Sequence, residues 1–242
     1  MYIGLSRKQQ SRYLYRIISL ERLFQLFRSG KNALVHPSKW DDPYENLILK
    51  SKVRDRLGNI KQYTYHNDIY GQCWTLNTAS DAMWRIYSPE ANGVRIRARV
   101  DRLFESFYRS GVPSPDRFCV IGKVSYLREA ELIDFANRMY DNGRLKKDFL
   151  FRSLLLKRRA FRHEKEVRLL YFDGTDHYDG QSVPYDVNPH LLIDQIMIDP
   201  RMSFEDFKNL KLKIRRTTRY QGKIRRSLLY TPPELIISEN AV

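Results

Sequence analysis

Along most of the chain, apolar positions either alternate or fall at helical spacing. Tyr13-Leu14-Tyr15-Arg16-Ile17-Ile18 predicts a short strand, and Ser19 stands where it would cap a following helix. In that helix Leu20, Leu23, Phe24 and Phe27 make one stripe, Arg22 and Arg28 lie outside it, and Gly30 suits the stop. Ala33-Leu34-Val35 is short and apolar, and a turn-rich loop over 36–45 gathers Asp41, Asp42 and Glu45. Residues 50–68 predict a polar surface excursion. Strands are expected over 71–76 and 93–100, with a helix over 81–87 between them. The second strand alternates strictly, so Arg95, Arg97 and Arg99 share a face that is solvated, paired with acids or laid against phosphates.

Further on, 101–110 predicts a helix, 112–116 a proline-containing loop, 120–127 a strand and 130–140 an amphipathic helix. Residues 146–162 predict a basic helix around Phe151, Leu154 and Leu155. A strand should begin near Glu166, another should span 193–198, and 204–210 should be a short helix. Residues 211–226 hold eight basic residues and no acid, and their threonines and isoleucines suggest strand pieces, with a hairpin about Gln221-Gly222. These elements make one α+β domain over 13–230, between a flexible basic lead-in at 1–12 and a tail at 231–242.

Composition narrows the class. The chain has 242 residues, 42% hydrophobic and 13% aromatic, which is enough to bury a core. Its formal charge of +15 attracts polyanions, so nucleic acid is the first partner to expect. Cys73 and Cys119 share no metal-type spacing, which points to reduced thiols. No apolar run is long enough for a signal peptide or a membrane span, so the expectation is a cytoplasmic protein without a membrane partner. Neither a G-x-G-x-x-G nor a phosphate-binding G-x-x-x-x-G-K-[ST] loop is present, which argues against Rossmann and P-loop sites.

The chemistry concentrates in Phe161-Arg162-His163-Glu164-Lys165-Glu166-Val167-Arg168-Leu169-Leu170-Tyr171-Phe172. On a strand, Glu164, Glu166 and Arg168 would point together while Val167, Leu169 and Tyr171 point the other way. Two adjacent carboxylates are candidates for acid/base or cation-stabilising chemistry, and the plainer alternative is a solvated strand end with an ion pair. Arg16, inside an aromatic and aliphatic strand, needs solvent or an anion. Trp84 and Tyr87, three apart on a helix, fit a core pair better than a ligand platform.

Four pieces resemble the bacterial family catalogued as domain of unknown function 2971: Trp40-Asp41-Asp42-Pro43-Tyr44-Glu45; Met83-Trp84-Arg85-Ile86-Tyr87 leading to Gly93-Val94-Arg95-Ile96; Glu164-Lys165-Glu166-Val167-Arg168; and Ile193-Asp194-Gln195-Ile196-Met197-Ile198. Asp41, Thr75 and Asp199 depart from that family's favoured Asn, Ser and Gly. The order of an aromatic-Arg strand, a strand with a hydroxyl residue and a strand with Glu-x-Glu also resembles the Arg, Ser/Thr, Glu layout of ADP-ribosyltransferases. That resemblance implies a split, twisted mixed or antiparallel sheet flanked by helices, and NAD as substrate. It makes Glu166 the carboxylate beside the ribose and Glu164 the group that orients or deprotonates the acceptor. Tyr15 and Arg16 would serve the NAD site, with Arg16 clamping the pyrophosphate. Thr75 would bond near the ribose or hold the strands together, and Trp74, Trp84 or Tyr87 would supply a stacking wall.

The expected activity is therefore an NAD-dependent ADP-ribosyltransferase, acting as a toxin or antiviral effector on RNA, DNA or a protein, and calling for no metal. Lys157, Arg158, Arg159, Arg162, Arg215, Arg216 and Arg219 would form the nucleic-acid track, or part of the charge would meet an acidic antitoxin. Two other classes compete: a non-catalytic nucleic-acid-binding protein, and a metal-dependent nuclease using Asp41, Asp42, Glu45, Glu164 and Glu166.

Overall fold

Ser19 and Gly30 end the first long helix for different reasons. The Ser19 hydroxyl accepts from the Arg22 backbone N–H at 3.2 Å, and Gly30 adopts the left-handed conformation (φ 63°) that a side chain resists. The computed structural model describes residues 1–40, 42–46, 50–54, 57–62, 68–110, 117–141, 144–145, 147–174 and 181–234. Asp41, the loop at 112–116, Lys146 and the tail beyond residue 234 lie outside the described residues.

In chain order the elements are β1 (Tyr2–Ile3), α1 (Arg7–Gln10), β2 (Tyr13–Ser19), α2 (Leu20–Ser29), β3 (Lys31–Val35), β4 (Lys52–Arg54), β5 (Ile60–Gln62) and β6 (Ile69–Thr75). Then come α3 (Asp81–Tyr87), β7 (Gly93–Arg99), α4 (Val100–Arg109), β8 (Arg117–Lys123), β9 (Ser125–Leu127), α5 (Glu129–Asn137), β10 (Tyr140–Asp141) and β11 (Arg144–Leu145). The remainder is α6 (Lys147–Ser153), β12 (Leu156–Arg158), β13 (Glu166–Asp173), β14 (Ser182–Asp186), α7 (Pro189–Leu192), β15 (Gln195–Ile198), α8 (Phe204–Thr218) and β16 (Lys223–Arg226).

Among the described residues, ten strands form one sheet in the order β1-β8-β13-β6-β2-β7-β15-β16, with β3 paired to both β6 and β14. β1 with β8 and β15 with β16 run parallel, and the other pairs of this sheet are antiparallel. The sheet forks at β6, which meets β2 only at Tyr15–Thr75 and β3 only at Val35–Gly71. The fold is thus α+β with a split mixed sheet, as expected.

Paired residues across neighbouring strands point to the same side, so register assigns the faces. One face carries Leu14, Ile96, Ala98, Ile121, Val167, Leu169 and Ile196, which pack with Leu23 and Leu26 of α2, Leu103 and Phe107 of α4, and Leu210 and Ile214 of α8 in the main core. The opposite face carries a smaller core, in which Ile69, Val120 and Leu170 meet Leu150, Phe151, Leu154 and Leu155. Beside this smaller core the same face turns polar, with Tyr15, Cys73, Thr75, Glu166 and Arg168.

Three local expectations are corrected. Residues 1–12 are docked: β1 pairs with β8, and Leu5 is buried in the main core. Residues 146–162 are not one helix, because α6 stops at Ser153, Leu154 and Leu155 enter the smaller core, and β12 pairs in parallel with β9. Tertiary burial outweighs the local helical pattern there. In 211–226 the reverse holds: Leu210, Ile214 and Thr218 recur every four residues and are all buried, so α8 runs through to Thr218 despite its β-branched residues. The chain then turns into β16, which pairs with β15 instead of forming a hairpin.

Candidate active site

At the start of β13 the backbone makes a turn that the strand pattern alone does not contain. Residues Arg159–Glu164 form a 3-10 turn, and Lys165 adopts the left-handed conformation (φ 46°, ψ 53°). Glu164 therefore lies off the strand, and the kink brings its carboxylate to the same lysine that Glu166 approaches. Lys157, from β12, places Nζ 2.5 Å from Glu164 Oε2, 2.7 Å from Glu45 Oε1 and 3.7 Å from Glu166 Oε2.

Arg168 is the second cation of this cluster and has no exposed surface. Its Nη2 donates to Glu45 Oε1 and to Glu166 Oε2, each at 2.7 Å, and its Nη1 donates to the Leu154 carbonyl at 2.7 Å. The Trp40 ring covers the guanidinium at 4.3 Å. That approach is possible because β6 carries Gly71, where a Cβ would fall 2.7 Å from the ring. Glu45, Glu164 and Glu166 thus share Lys157 and Arg168, three carboxylates with two cations, so the buried cluster holds one negative charge in excess when all five are ionised. Asp42 stands beside it with its own cation, Arg158, at 2.9 Å.

The two central carboxyls are driven apart. Burial raises both; for Glu166 the Arg168 charge and hydrogen bond overcome it and hold the carboxyl below its ordinary value. For Glu164 burial prevails over the Lys157 contact, so its carboxyl is raised. Lys157 is itself pushed upward, because Glu166 and Glu45 outweigh its burial. A carboxylate kept ionised beside a carboxyl that protonates more readily suits a division into charge stabiliser and proton carrier.

Glu166, Thr75 and Tyr15 stand in one row across β13, β6 and β2. The Thr75 hydroxyl donates to the Glu164 carbonyl and accepts from the Asn77 N–H at 3.0 Å, so it ties β6 to the turn before β13. Of the two roles expected for Thr75, this bonding matches the one that holds the strands together. Arg16, next to Tyr15, alternates to the opposite side of β2, where the strand parts from β6; Cys73 and Tyr185 are both near its guanidinium, and burial lowers its pKa. Its side chain does not join Glu166. Trp74 faces the main core, donating its indole N–H to Gln72 at 2.7 Å, and Trp84 is fully buried, so neither is a stacking wall for a ligand at Glu166. Tyr87 is 44% exposed, and burial of its hydroxyl together with the Glu164 charge raises its pKa.

Tyr126 and Trp40 complete the cluster without having been singled out as site residues, and Glu45, named above for the nuclease alternative, joins them. The Tyr126 oxygen accepts from the Glu166 N–H at 2.8 Å, and its pKa is pushed up to about 12 by burial, with the glutamates adding to the effect. Its strand alternation gave no signal of this contact; for Trp40 and Glu45 the acid-rich loop did. Of the expected nucleic-acid residues, Lys157 is enclosed by carboxylates and Arg158 is half-buried on Asp42 and the Tyr44 ring. Arg215 donates to the Tyr220 and Gly222 carbonyls at the end of α8. Arg159, Arg162, Arg216 and Arg219 are exposed.

The family described as "Protein of unknown function (DUF2971)" matches residues 83–169. That span contains the Met83–Tyr87 and Glu164–Arg168 pieces of the sequence resemblance. No curated protein matches the chain. Among solved structures, DarT of Thermus sp. 2.9 in complex with NAD+ is similar at 14% identity and a TM-score of 0.39, over 90% of this chain and 96% of that one. The same protein in complex with ADP-ribosylated single-stranded DNA is similar at 12% identity and a TM-score of 0.40, over 93% and 97%. Among the described residues, no helix is long and apolar enough to cross a membrane.

Proposed function

We propose that the chain is an NAD-dependent ADP-ribosyltransferase with nucleic acid as its acceptor. The observation that carries the reading is the adjacency of β2, β6 and β13, which bear the three positions of the transferase layout and lie about sixty and ninety residues apart in sequence. Their Tyr15, Thr75 and Glu166 fall in one row, and the buried negative excess lies at its end. The DarT structures hold NAD+ and ADP-ribosylated DNA; for this chain its own geometry supports the reading.

In this reading Glu166, anchored by Arg168, faces the nicotinamide ribose. The glycosidic bond to nicotinamide breaks with its electron pair leaving on nicotinamide, and the carboxylate stabilises the positive charge that grows on the ribose. Glu164, with its raised pKa, takes the proton from the acceptor as the new bond to the ribose forms. Tyr87 edges the entrance, and Arg159, Arg162, Arg216 and Arg219 attract the polyanion. In the cell such an enzyme would act as a toxin or antiviral effector.

The nuclease alternative is less well supported. Glu45, Glu164 and Glu166 converge on Lys157 and Arg168, so the protein's own cations take the place that a divalent ion would need. Nicotinamide release from NAD, with and without nucleic acid, tests the proposal. Release that Glu166→Gln slows and chelator leaves unchanged is expected; nucleic-acid cleavage that chelator stops would favour the nuclease.

A further inference from the structure

The backbone N–H of Glu166 falls where its strand partner ends. Leu76 N–H donates to the Lys165 carbonyl at 3.0 Å, which makes Glu166–Thr75 a non-hydrogen-bonded pair, so the backbone groups of Glu166 point away from β6. They point towards β8. Val124 N–H still reaches the Glu166 carbonyl at 2.9 Å, but Ser125 N–H has turned to the Leu155 carbonyl at 2.8 Å, and β9 goes on to pair with β12. The Glu166 N–H is taken by a side chain, the Tyr126 hydroxyl, at 2.8 Å.

This bond falls at the joint between the two central carboxylates. Glu164 ends the 3-10 turn, Lys165 is left-handed, and Glu166 opens β13, so rotation of these peptides would move one carboxylate against the other. Each of the three residues is held by a different partner: the Thr75 hydroxyl donates to the Glu164 carbonyl, Leu76 N–H to the Lys165 carbonyl, and Glu166 N–H to Tyr126. Two of the holds come from β6 and its end. The third comes from the other side, because Tyr126 stands opposite Lys157 in the β9–β12 register. The strand that carries the shared lysine is thereby tied, through its neighbour, to the backbone of Glu166. An N–H that loses a buried partner costs free energy, so the joint would shift to find another acceptor.

We propose that Tyr126 is a positioning residue for the reaction, holding the Glu166 backbone so that Glu164 and Glu166 stay on the shared Lys157 while Glu166 keeps its bond to Arg168. It acts through Glu166 and does not touch substrate. The kinetic part of the proposal rests on the NAD reading above; the structural part does not.

The test uses the full chain, with Tyr126→Phe, which keeps the ring and removes one oxygen, and with Tyr108→Phe as an exposed control. Three readouts are taken: amide hydrogen exchange at Glu166, carboxyl titration of labelled glutamates by NMR, and nicotinamide release. In wild type the Glu166 amide should exchange slowly, as an amide bonded within the fold. Tyr126→Phe should speed that exchange and raise the titration of Glu166, whose bond to Arg168 is loosened. It should lower kcat about ten- to hundredfold, the scale of a misplaced group, with KM unchanged. Tyr108→Phe should match wild type in all three. A merely structural tyrosine would lower the melting point and leave the titration and kcat of the folded variant where they were, which would overturn the proposal. So would rapid Glu166 exchange in wild type, a rise in KM in place of the fall in kcat, or failure of Tyr126→Phe to fold. Exchange and titration need no NAD. Absence of nicotinamide release from wild type would therefore sink the NAD reading, while the Glu166 titration would still decide whether Tyr126 holds that carboxylate in place.

Discussion

Lys157 and Glu164 form a 2.5 Å ion pair inside the protein, seven residues apart in sequence, Lys157 before the 3-10 turn and Glu164 at its last residue. The pair turns a basic segment inward and ties β12 to the entry of β13. Cations that look available to nucleic acid in the sequence are thereby divided between structure and surface.

Replacing Lys157 should expose that division. Lys157→Met leaves Arg168 alone with three glutamates, and removing one partner of a buried ion pair costs about 3–5 kcal/mol. Denaturant unfolding should show a loss of that order. A loss indistinguishable from that of a surface lysine would contradict the burial described.

The split between Glu164 and Glu166 predicts two opposite pH effects on stability. The folded pKa of Glu166 is lowered, so its stabilisation is present above the unfolded carboxyl value and fades as pH falls through the folded one. Glu164 is raised from 4.5, so its contribution is present below the unfolded value and is lost as pH rises through the folded one. Unfolding midpoints should therefore flatten below the unfolded carboxyl value in Glu166→Gln, while the decline above it, which belongs to Glu164, remains. In activity, the acid limb of kcat/KM should fall above the ordinary glutamate range and vanish in Glu164→Gln.

Lys165 makes the third prediction. A left-handed lysine costs about 1–2 kcal/mol, which glycine does not incur, although glycine gives up about as much in chain entropy. Lys165→Gly should leave stability within about 1 kcal/mol of wild type, whereas Lys165→Val, a β-branched residue in that conformation, should lose about 1–3 kcal/mol. Turnover should fall with Lys165→Val, because Glu164 is then turned away from Lys157. Equal stability of the two variants would mean that the turn relaxes.

On the surface, charge reversal at Arg216 and Arg219 should weaken nucleic-acid binding uniformly across sequences and reduce the salt slope by roughly one for each phosphate no longer neutralised. Arg215→Ala should act on stability instead, since that side chain holds the carbonyls after α8. Filter binding over a salt series, beside melts of the same variants, separates the two effects.

Much of this was legible in the chain because it depends on period and punctuation. Ser19 and Gly30 marked the ends of α2, alternation marked β7, and the Glu-x-Glu-x-Arg run lies in the buried ionic cluster. What the sequence hid was face and register. Arg16 and Tyr15 are neighbours in the chain, yet a strand sends them to opposite sides, and only the Tyr15–Thr75 pairing says which one faces Glu166. Lys157 was hidden for a related reason: its partners Glu45 and Glu164 lie on both sides of it in sequence, and no local pattern tells a buried lysine from a solvated one.

Transfer of labelled ADP-ribose from NAD by purified wild type and by Glu166→Gln, offered RNA, DNA and protein separately, tests the central claim most directly. The account predicts label on a nucleic acid with wild type and at least a hundredfold less with Glu166→Gln, about 3 kcal/mol of lost charge stabilisation, while the variant keeps its fold and nucleic-acid affinity. Undiminished transfer by Glu166→Gln, or no transfer and no nicotinamide release from folded wild type, would contradict it.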